Sequence, residues 1–365
     1  MSDARVLVYG ATGLTGGLVV EALRARGVTP IVAGRNERKL QALVRQLAMS
    51  EGDIAVVEAD DPSALVRAID RAKVVIACAG PFVQAGEPVV AACATHGVHY
   101  VDAAGEAVFV RMLARRYEAT ARESHAALVP SMAFEVAIAD AAASRAADGL
   151  DGPVDIDVVY AVANFTPSIG TRSSAFAMAS LPSMAVESGE LREEPLAAKV
   201  IDVTLRAPFE STRAFSAPSP ELVTIPRHVR VHTLRTFLAS KRAGWMPAIA
   251  RGVPIASKLA TPFVRQLLEQ RLGPGPSREK LGLARFQIVA EARSADAKRR
   301  RRVTVTGSDV YRVSAALLAD AAIALRDARP APEGLVAPSQ LLGVEKIFEN
   351  VRAFDAGSVH VEEWS

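Results

Sequence analysis

The stretch RVLVYGATGLTG, Arg5 to Gly16, decides how this chain is read. Val6 to Tyr9 is a short apolar run, and Gly10, Gly13 and Gly16 follow it before helical periodicity sets in near Leu14. A strand that breaks into a glycine-rich turn and then a helix is the context in which such glycines hold the pyrophosphate of a dinucleotide. Gly10 permits the tight turn, Gly13 lets backbone amides approach the phosphates at the positive end of the helix, and Gly16 lets that helix lie close to the sheet. The spacing is GxxGxxG, a variant of the commoner GxGxxG. Gly10, Ala11, Thr12, Gly13, Leu14 and Thr15 are the candidate phosphate contacts.

Outward from this loop, short β-branched runs alternate with helix-like stretches as far as Phe134. Val6 to Tyr9, Thr29 to Ala33, Ile54 to Glu58, Val74 to Ala77, Tyr100 to Asp102 and Ala127 to Val129 are expected as six strands. Between them Leu18, Val19, Ala22 and Leu23, and then Leu40, Leu43, Val44 and Leu47, each fall on one helical face. The pattern predicts an α/β fold, a doubly wound parallel sheet of Rossmann type built from βαβ units.

The second strand, PIVAGR, ends in Arg35, where enzymes that take NAD carry an acidic residue for the ribose 2′-hydroxyl. An arginine pairs instead with a 2′-phosphate, and Asn36, Arg38 and Lys39 add donors beside it, so NADP(H) is expected over NAD(H). Ala79, Gly80, Pro81 and Phe82 of CAGPF follow the fourth strand, at the carboxyl edge where cofactor and substrate meet in open α/β sheets. Asp60 and Asp61 end the third expected strand, where a carboxylate reaches the adenine edge or caps the next helix; both readings stand.

At 365 residues the chain suits two domains. The expected division is 1–134 for the nucleotide-binding domain, 135–312 for an inserted α+β domain serving substrate or dimerisation, and 313–365 for C-terminal helices returning to the first. Ile138 to Ala147 is expected as a helix, and VDIDVVYAVA, Lys199 to Arg206, Ala284 to Ala292 and Arg302 to Gly307 as strands. The tail Gly334 to Gly357 is turn-rich and then helical.

A net charge of +3 from 43 basic and 40 acidic side chains is too balanced to point to nucleic acid. Two cysteines, Cys78 and Cys93, in apolar stretches suggest neither a disulfide framework nor a thiolate metal site, which favours a reducing cytoplasm. The N-terminus shows no signal-peptide pattern, and no apolar stretch reaches the ~18 to 20 residues of a membrane span. The protein is expected to be cytoplasmic, with contact at the inner face of the membrane as a further reading. That reading comes from Trp245 to Leu272, a proline-broken apolar stretch read as buried core, as a homodimer interface, or as a cap over an apolar substrate that also touches lipid. The KRRRR run, Lys298 to Arg302, is read as a solvated hairpin end, with an anionic contact as the alternative.

No tyrosine has a lysine four residues on, which removes the proton relay of short-chain dehydrogenases. Both cysteines are read as core rather than as nucleophiles. His228 and His232 lack a third ligand, so no metal is expected.

These residues resemble the saccharopine dehydrogenase-like superfamily and, within it, the trans-acting enoyl reductase group. The resemblance rests on VYGATGLTG, on AGRN with Lys39 and Leu40, and on CAGPFVQAGEPVVAACATHGVHYVDAAGE from Cys78 to Glu106. SIGTRSS (Ser168 to Ser174), PGPSRE (Pro274 to Glu279) and GLVAPSQLLG (Gly334 to Gly343) extend it over almost the whole chain. It implies NADPH as reductant of a carbon–carbon double bond in a hydrophobic or acyl substrate, a role in lipid metabolism, and a second α+β domain. Where relatives carry a GFDSVPSD-like segment this chain has VPSMAFEVAIAD, and only Asp140 keeps the acidic end. Tyr160, Thr171, Arg172 and Ser174, together with His99, are the candidates for polarising a carbonyl or donating a proton. Each also reads as a turn residue or a satisfied core polar group. A saccharopine-type imine reductase, which needs arginines such as Arg172, Arg213, Arg227 and Arg230 to be clustered, and a non-catalytic NADP-binding regulator are the alternatives.

Overall fold

A computed structural model describes residues 5–57, 61–178, 182–248, 275–354 and 357–364. The chain divides into two compact units, one of residues 1–105, 109–134 and 311–342, the other of residues 106–108, 135–310 and 343–365.

The first unit is built on a seven-stranded sheet: β1 (Val6–Tyr9), β2 (Ile31–Gly34), β3 (Ile54–Val56), β4 (Val74–Ala77), β5 (His99–Asp102), β6 (Ala127–Val129) and β15 (Gly334–Leu335). The spatial order is β3-β2-β1-β4-β5-β6-β15 and every pairing is parallel. The six expected strands are present, shifted by a residue or two at β2 and β5, and β3 stops at Val56 rather than Glu58. β1, β2 and β4 read as continuous apolar runs because their central residues are buried on both faces. The helix Leu14–Ala25 buries Leu18, Val19 and Leu23, the face that the spacing of the sequence marks as apolar. The chain order reverses between β1 and β4. That reversal is the switch point outside which open α/β sheets take their ligands.

The second unit holds a nine-stranded mixed sheet of β7 (Val154–Ala163), β8 (Ser183–Glu187), β9 (Glu190–Glu194), β10 (Val200–Val203), β11 (Thr212–Ser216), β12 (Val231–Ala239), β13 (Arg285–Arg293), β14 (Arg300–Ser308) and β16 (Ser358–Trp364). β7 lies between β12, parallel to it, and β13, antiparallel to it. Its alternation sends Val154, Ile156, Val158 and Tyr160 to one buried face. The other face contributes Val159 and Ala161 to a cluster with Val203, Leu205, Ala214, Phe237 and Val289.

Two expectations change here. Residues 343–365 group with the second unit rather than with the first, because β16 extends the mixed sheet along β14. Arg300, Arg301 and Arg302 lie within β14 instead of in the hairpin turn. Arg302 meets Glu291 at 2.7 Å, Arg301 meets Glu363 at 2.9 Å, and Arg300 stacks on the Trp364 ring at 4.4 Å, so the basic run is largely matched within its own sheet. Of the stretch Trp245 to Leu272, residues 249–272 lie outside the described residues. Trp245 itself is 74% exposed. Among the described residues no helix is long and apolar enough to cross a membrane.

Candidate active site

The loop after β1 shows why its three glycines differ. Gly10 has φ +81°, and an added Cβ there would stand 2.9 Å from the Ala79 amide nitrogen. At Gly16 an added Cβ would stand 2.3 Å from the Gly10 carbonyl oxygen, so close approach of helix and loop requires the glycine. Gly13 is different. Its φ is −79°, and an added Cβ would meet only the Gly10 oxygen, at 3.4 Å. The fold therefore gives little reason for a glycine at Gly13, and the remaining reason is a ligand that comes close to the backbone.

The helix beginning at Leu14 has no side-chain cap and no acid in its first turn, so its positive end is not neutralised locally. Hydrogen bonds from the Gly10 and Ala11 amides to the Ala33 carbonyl, at 2.9 and 3.1 Å, fix the loop against the end of β2. Thr12 and Gly13 are exposed, Leu14 and Thr15 are half-buried, and Ala11 is buried. This cradle suits a pyrophosphate.

Arg35, Asn36 and Lys39 are exposed just past β2, beside that loop in the order of the sheet. Asn36 accepts the Lys39 amide at 3.0 Å and so caps the helix Glu37–Gln46, which leaves Arg35 as the first basic group at the strand end. Tyr9, at the end of β1, feels the Arg35 charge, although burial dominates and pushes its phenol up. Asp61 is the N-cap of the helix Pro62–Ile69, bonded to the Ala64 amide at 3.0 Å and the Ser63 hydroxyl at 2.5 Å. Asp60 lies outside the described residues. Ala79, Gly80 and Pro81 follow β4 at the switch point, whereas the Phe82 ring is buried against Phe109 at 5.6 Å, so any ligand contact there comes from its backbone.

In the second unit the residues that converge are Tyr160, Glu221, Glu135, Glu106 and Ser174. Tyr160, near the end of β7, is buried, and its hydroxyl donates to Glu221 Oε1. Glu221 opens the short helix Glu221–Thr224 and is fully buried. Desolvation pushes its carboxyl up to about 7, against the pull of the Ser219 and Tyr160 hydroxyls, and the Glu135 charge adds to the rise. Glu135, in the first turn of the helix Phe134–Ala147, is also pushed up to about 7, by loss of water around its carboxyl and then by Glu106. The Tyr160 phenol is raised well above its ordinary value by burial and then by Glu221. Ser174 donates to Glu106 Oε1 at 2.7 Å.

The other candidates have these surroundings. SIGTRSS forms the start of the helix Ile169–Met178 rather than a turn, with Ser168 Oγ accepting the Thr171 amide at 3.1 Å. His99 is buried and accepts the Ala127 amide at Nδ1, 3.0 Å. Burial, then Lys73 and Arg329, lower its pKa to about 4, which favours the neutral ring. Burial also pushes the Cys78 thiol up to about 12 and raises that of Cys93, which fits core packing. Asp140 is fully buried, accepting Thr224 Oγ1 at 2.9 Å and lying 3.2 Å from His228 Nε2. It ties its helix to the segment before β12. His232 turns to Asp155 instead, at 3.0 Å, and among the described residues no three metal-ligating side chains converge.

Sequence reasoning missed Glu221, Glu135 and Glu106 as site residues. Glu106 closes the stretch that begins at Cys78 and Glu135 lies within VPSMAFEVAIAD, but nothing local joins either to Glu221, and of the cluster only Tyr160 and Ser174 were named.

Comparison with known proteins bears on the nucleotide-binding domain and on the fold. Residues 6–129 match the family model described as saccharopine dehydrogenase NADP binding domain. The trans-acting enoyl reductase of Mycobacterium tuberculosis (strain ATCC 25618 / H37Rv) is 25% identical over 389 aligned residues, covering 93% of each chain. A lipid droplet localized protein of Caenorhabditis elegans is 35% identical over 150 residues, 38% of this chain, so the match spans about a third (35%) of that relative's own length. Among solved structures, apo saccharopine dehydrogenase (L-Glu forming) from Saccharomyces cerevisiae superposes with a TM-score of 0.59 at 13% identity, covering 99% of this chain and all of the other, which supports the fold.

Proposed function

Residues 6–129 belong to the saccharopine dehydrogenase NADP binding domain family, and from that premise we propose that the chain is a reductase of an activated carbon–carbon double bond in an apolar or acyl substrate. Its cofactor is NADP(H) and its class is oxidoreductase. NADPH, when bound, supplies a hydride. Gly13 and the uncapped helix start would receive its pyrophosphate, and Arg35 its 2′-phosphate.

The observation that carries the choice of substrate is the setting of Tyr160. Leu238 stands level with it on β12, and Val162 follows it on the same face of β7. These two are 40% and 42% exposed, an open apolar surface beside a phenol surrounded by carboxyl groups. Such a place accepts a neutral, apolar reacting end and repels a carboxylate. The name of the mycobacterial relative points the same way.

A saccharopine-type substrate with several carboxylates would need converging arginines. Arg172 lies in the helix Ile169–Met178 and Arg213 on β11 near Asp202, while Arg227 and Arg230 flank His228 before β12. They lie on three different elements of the unit. The test is NADPH consumption with a panel of enoyl thioesters set beside imines of 2-oxo acids. Turnover of the enoyl thioesters is expected. Turnover confined to the imines would transfer the assignment to the amino-acid reductases, and NADPH binding without any turnover would make the chain a regulator.

A further inference from the structure

The free edges of the nine-stranded sheet are guarded to different degrees. An edge strand turns half of its backbone N–H and C=O groups away from its neighbour, and these attract another strand unless shortness, charge or a bulge deters it. β10 is four residues long and carries the exposed Asp202, and β9, the outer strand of the side branch, is charged at four of its five positions. β16 is different. It pairs with β14 over seven residues without a break in register, contains no proline or lysine, and has Val361 at its middle, 48% exposed. Val361 stands opposite the buried Val303 of β14, so the apolar face of the sheet ends on a half-open valine. Among the described residues no strand pairs with the outer side of β16. We propose that a second copy of this chain docks there, β16 pairing antiparallel with β16 about a two-fold axis at Val361.

The side chains of the strand are what select that partner and that register. A two-fold axis perpendicular to the sheet keeps each residue on its own face, so a residue can oppose only itself or one an even number of positions away. Centred on Glu362, the pairing sets that carboxylate against its own copy. Centred on His360, it sets two imidazoles together and leaves the strand ends unpaired. Centred on Val361, it pairs all seven residues, puts valine on valine at the axis, and sets His360 against Glu362 of the second copy, twice by symmetry. Pairs of opposite character directly across antiparallel strands stabilise them, and like charges do the reverse. In the same register Val359 opposes Glu363 of the second copy. That carboxylate is already held by Arg299 and Arg301 of its own chain, each at 2.9 Å, so no unmatched charge is laid on the valine.

The test reads the oligomeric state of the full chain and the register of its contact. Wild type is expected to be dimeric in sedimentation equilibrium at about 100 μM. Val361→Cys, a small change at a half-open position, is expected to link two chains through a disulfide under a mild oxidant, because directly opposed Cα atoms stand about 4.5 to 5.5 Å apart. Val359→Cys is expected not to, since this register puts its two copies roughly 14 Å apart. Cys78 and Cys93, whose thiols burial pushes up, are poor competitors.

His360→Glu sets two acids against each other on both sides of the axis, and Glu362→Lys sets a lysine against a histidine. Each is expected to raise the dimer dissociation constant, His360→Glu by about 10-fold or more. An equal mixture of the two is expected to associate nearly as tightly as wild type, because every cross-strand pair then joins an acid to a base. The disulfide decides the matter if a charged variant does not fold. A wild type that stays monomeric at about 100 μM overturns the proposal. So does a dimer in which Val361→Cys links no faster than Val359→Cys, in which the charged variants associate as wild type does, or in which the mixture associates no better than its components, since the copies would then meet elsewhere.

Discussion

The two sheets of this molecule carry their chemistry in opposite ways. In the seven-stranded sheet the strands are parallel, apolar and covered on both faces, and the candidate cofactor-binding groups sit in loops at one edge, within a few residues of the strand ends. In the nine-stranded sheet the candidate chemistry lies within the element, with Tyr160 on β7 facing a glutamate 61 positions away in the chain. A parallel sheet thus advertises its site in local sequence. A mixed sheet that gathers side chains from distant helices does not.

Four substitutions or conditions would break or sharpen that contrast. The largest effect is expected at Gly16. A valine there drives its Cβ into the Gly10 carbonyl, and the first unit should lose about 3 kcal/mol or more, read as a large fall in thermal midpoint with NADPH binding lost alongside. A Gly16→Val chain with wild-type stability would mean that the loop and helix are not packed as described.

Arg35→Glu comes next. Removing a charge-assisted contact and adding repulsion to the 2′-phosphate should weaken NADPH binding by roughly 2 to 4 kcal/mol and leave NADH nearly untouched. Equal losses for the two cofactors would show Arg35 to be a structural residue of the strand end.

For the second unit the sharper probe is pH. Glu221 titrates near 7 when folded and near its ordinary, lower value when unfolded, so between these the folded chain holds a proton that the unfolded chain has given up. The associated stability is fully present below the unfolded value and is lost as pH rises through about 7, an effect on the order of 2 to 3 kcal/mol. Denaturant unfolding from mildly acid to mildly basic pH should show this decline in wild type and a flatter profile in Glu221→Gln. A wild-type profile that rises with pH would mean the carboxyl is charged and paired.

The smallest effect is expected at Trp245, whose side chain is mostly in solvent. Trp245→Ala should change stability by no more than about 0.5 kcal/mol. A larger loss would show that the indole is covered by something, a second copy of the chain included.

How much of this was legible in the sequence follows from the same contrast. Val6 to Tyr9, Val74 to Ala77 and Ala127 to Val129 were readable to the residue, because a strand buried on both faces is a short apolar block with turn residues at each end. Gly10, Gly13 and Gly16 were readable as a set, but only the positions of neighbouring atoms separate the two that the fold requires from the one that it does not. Residues 343–365 were misassigned because a helical tail after a nucleotide-binding domain suggests return to that domain, while pairing of β16 with β14 is a long-range event that local pattern does not encode. His99 was readable as polar but not as neutral, since its state depends on the Ala127 amide and on burial. Glu221 and Glu135 had no local mark at all, each looking like an ordinary acid in the first turn of a helix.

The account turns on the claim that the loop after β1 holds the cofactor, and Gly13 isolates that claim from the fold. Calorimetric titration of NADPH into wild type and Gly13→Val, with thermal unfolding of both, tests it directly. The predicted result is a loss of affinity of at least about 100-fold in the variant, because its side chain would occupy the place of the pyrophosphate, with a thermal midpoint close to that of wild type. Wild-type NADPH affinity in a folded Gly13→Val chain would contradict it.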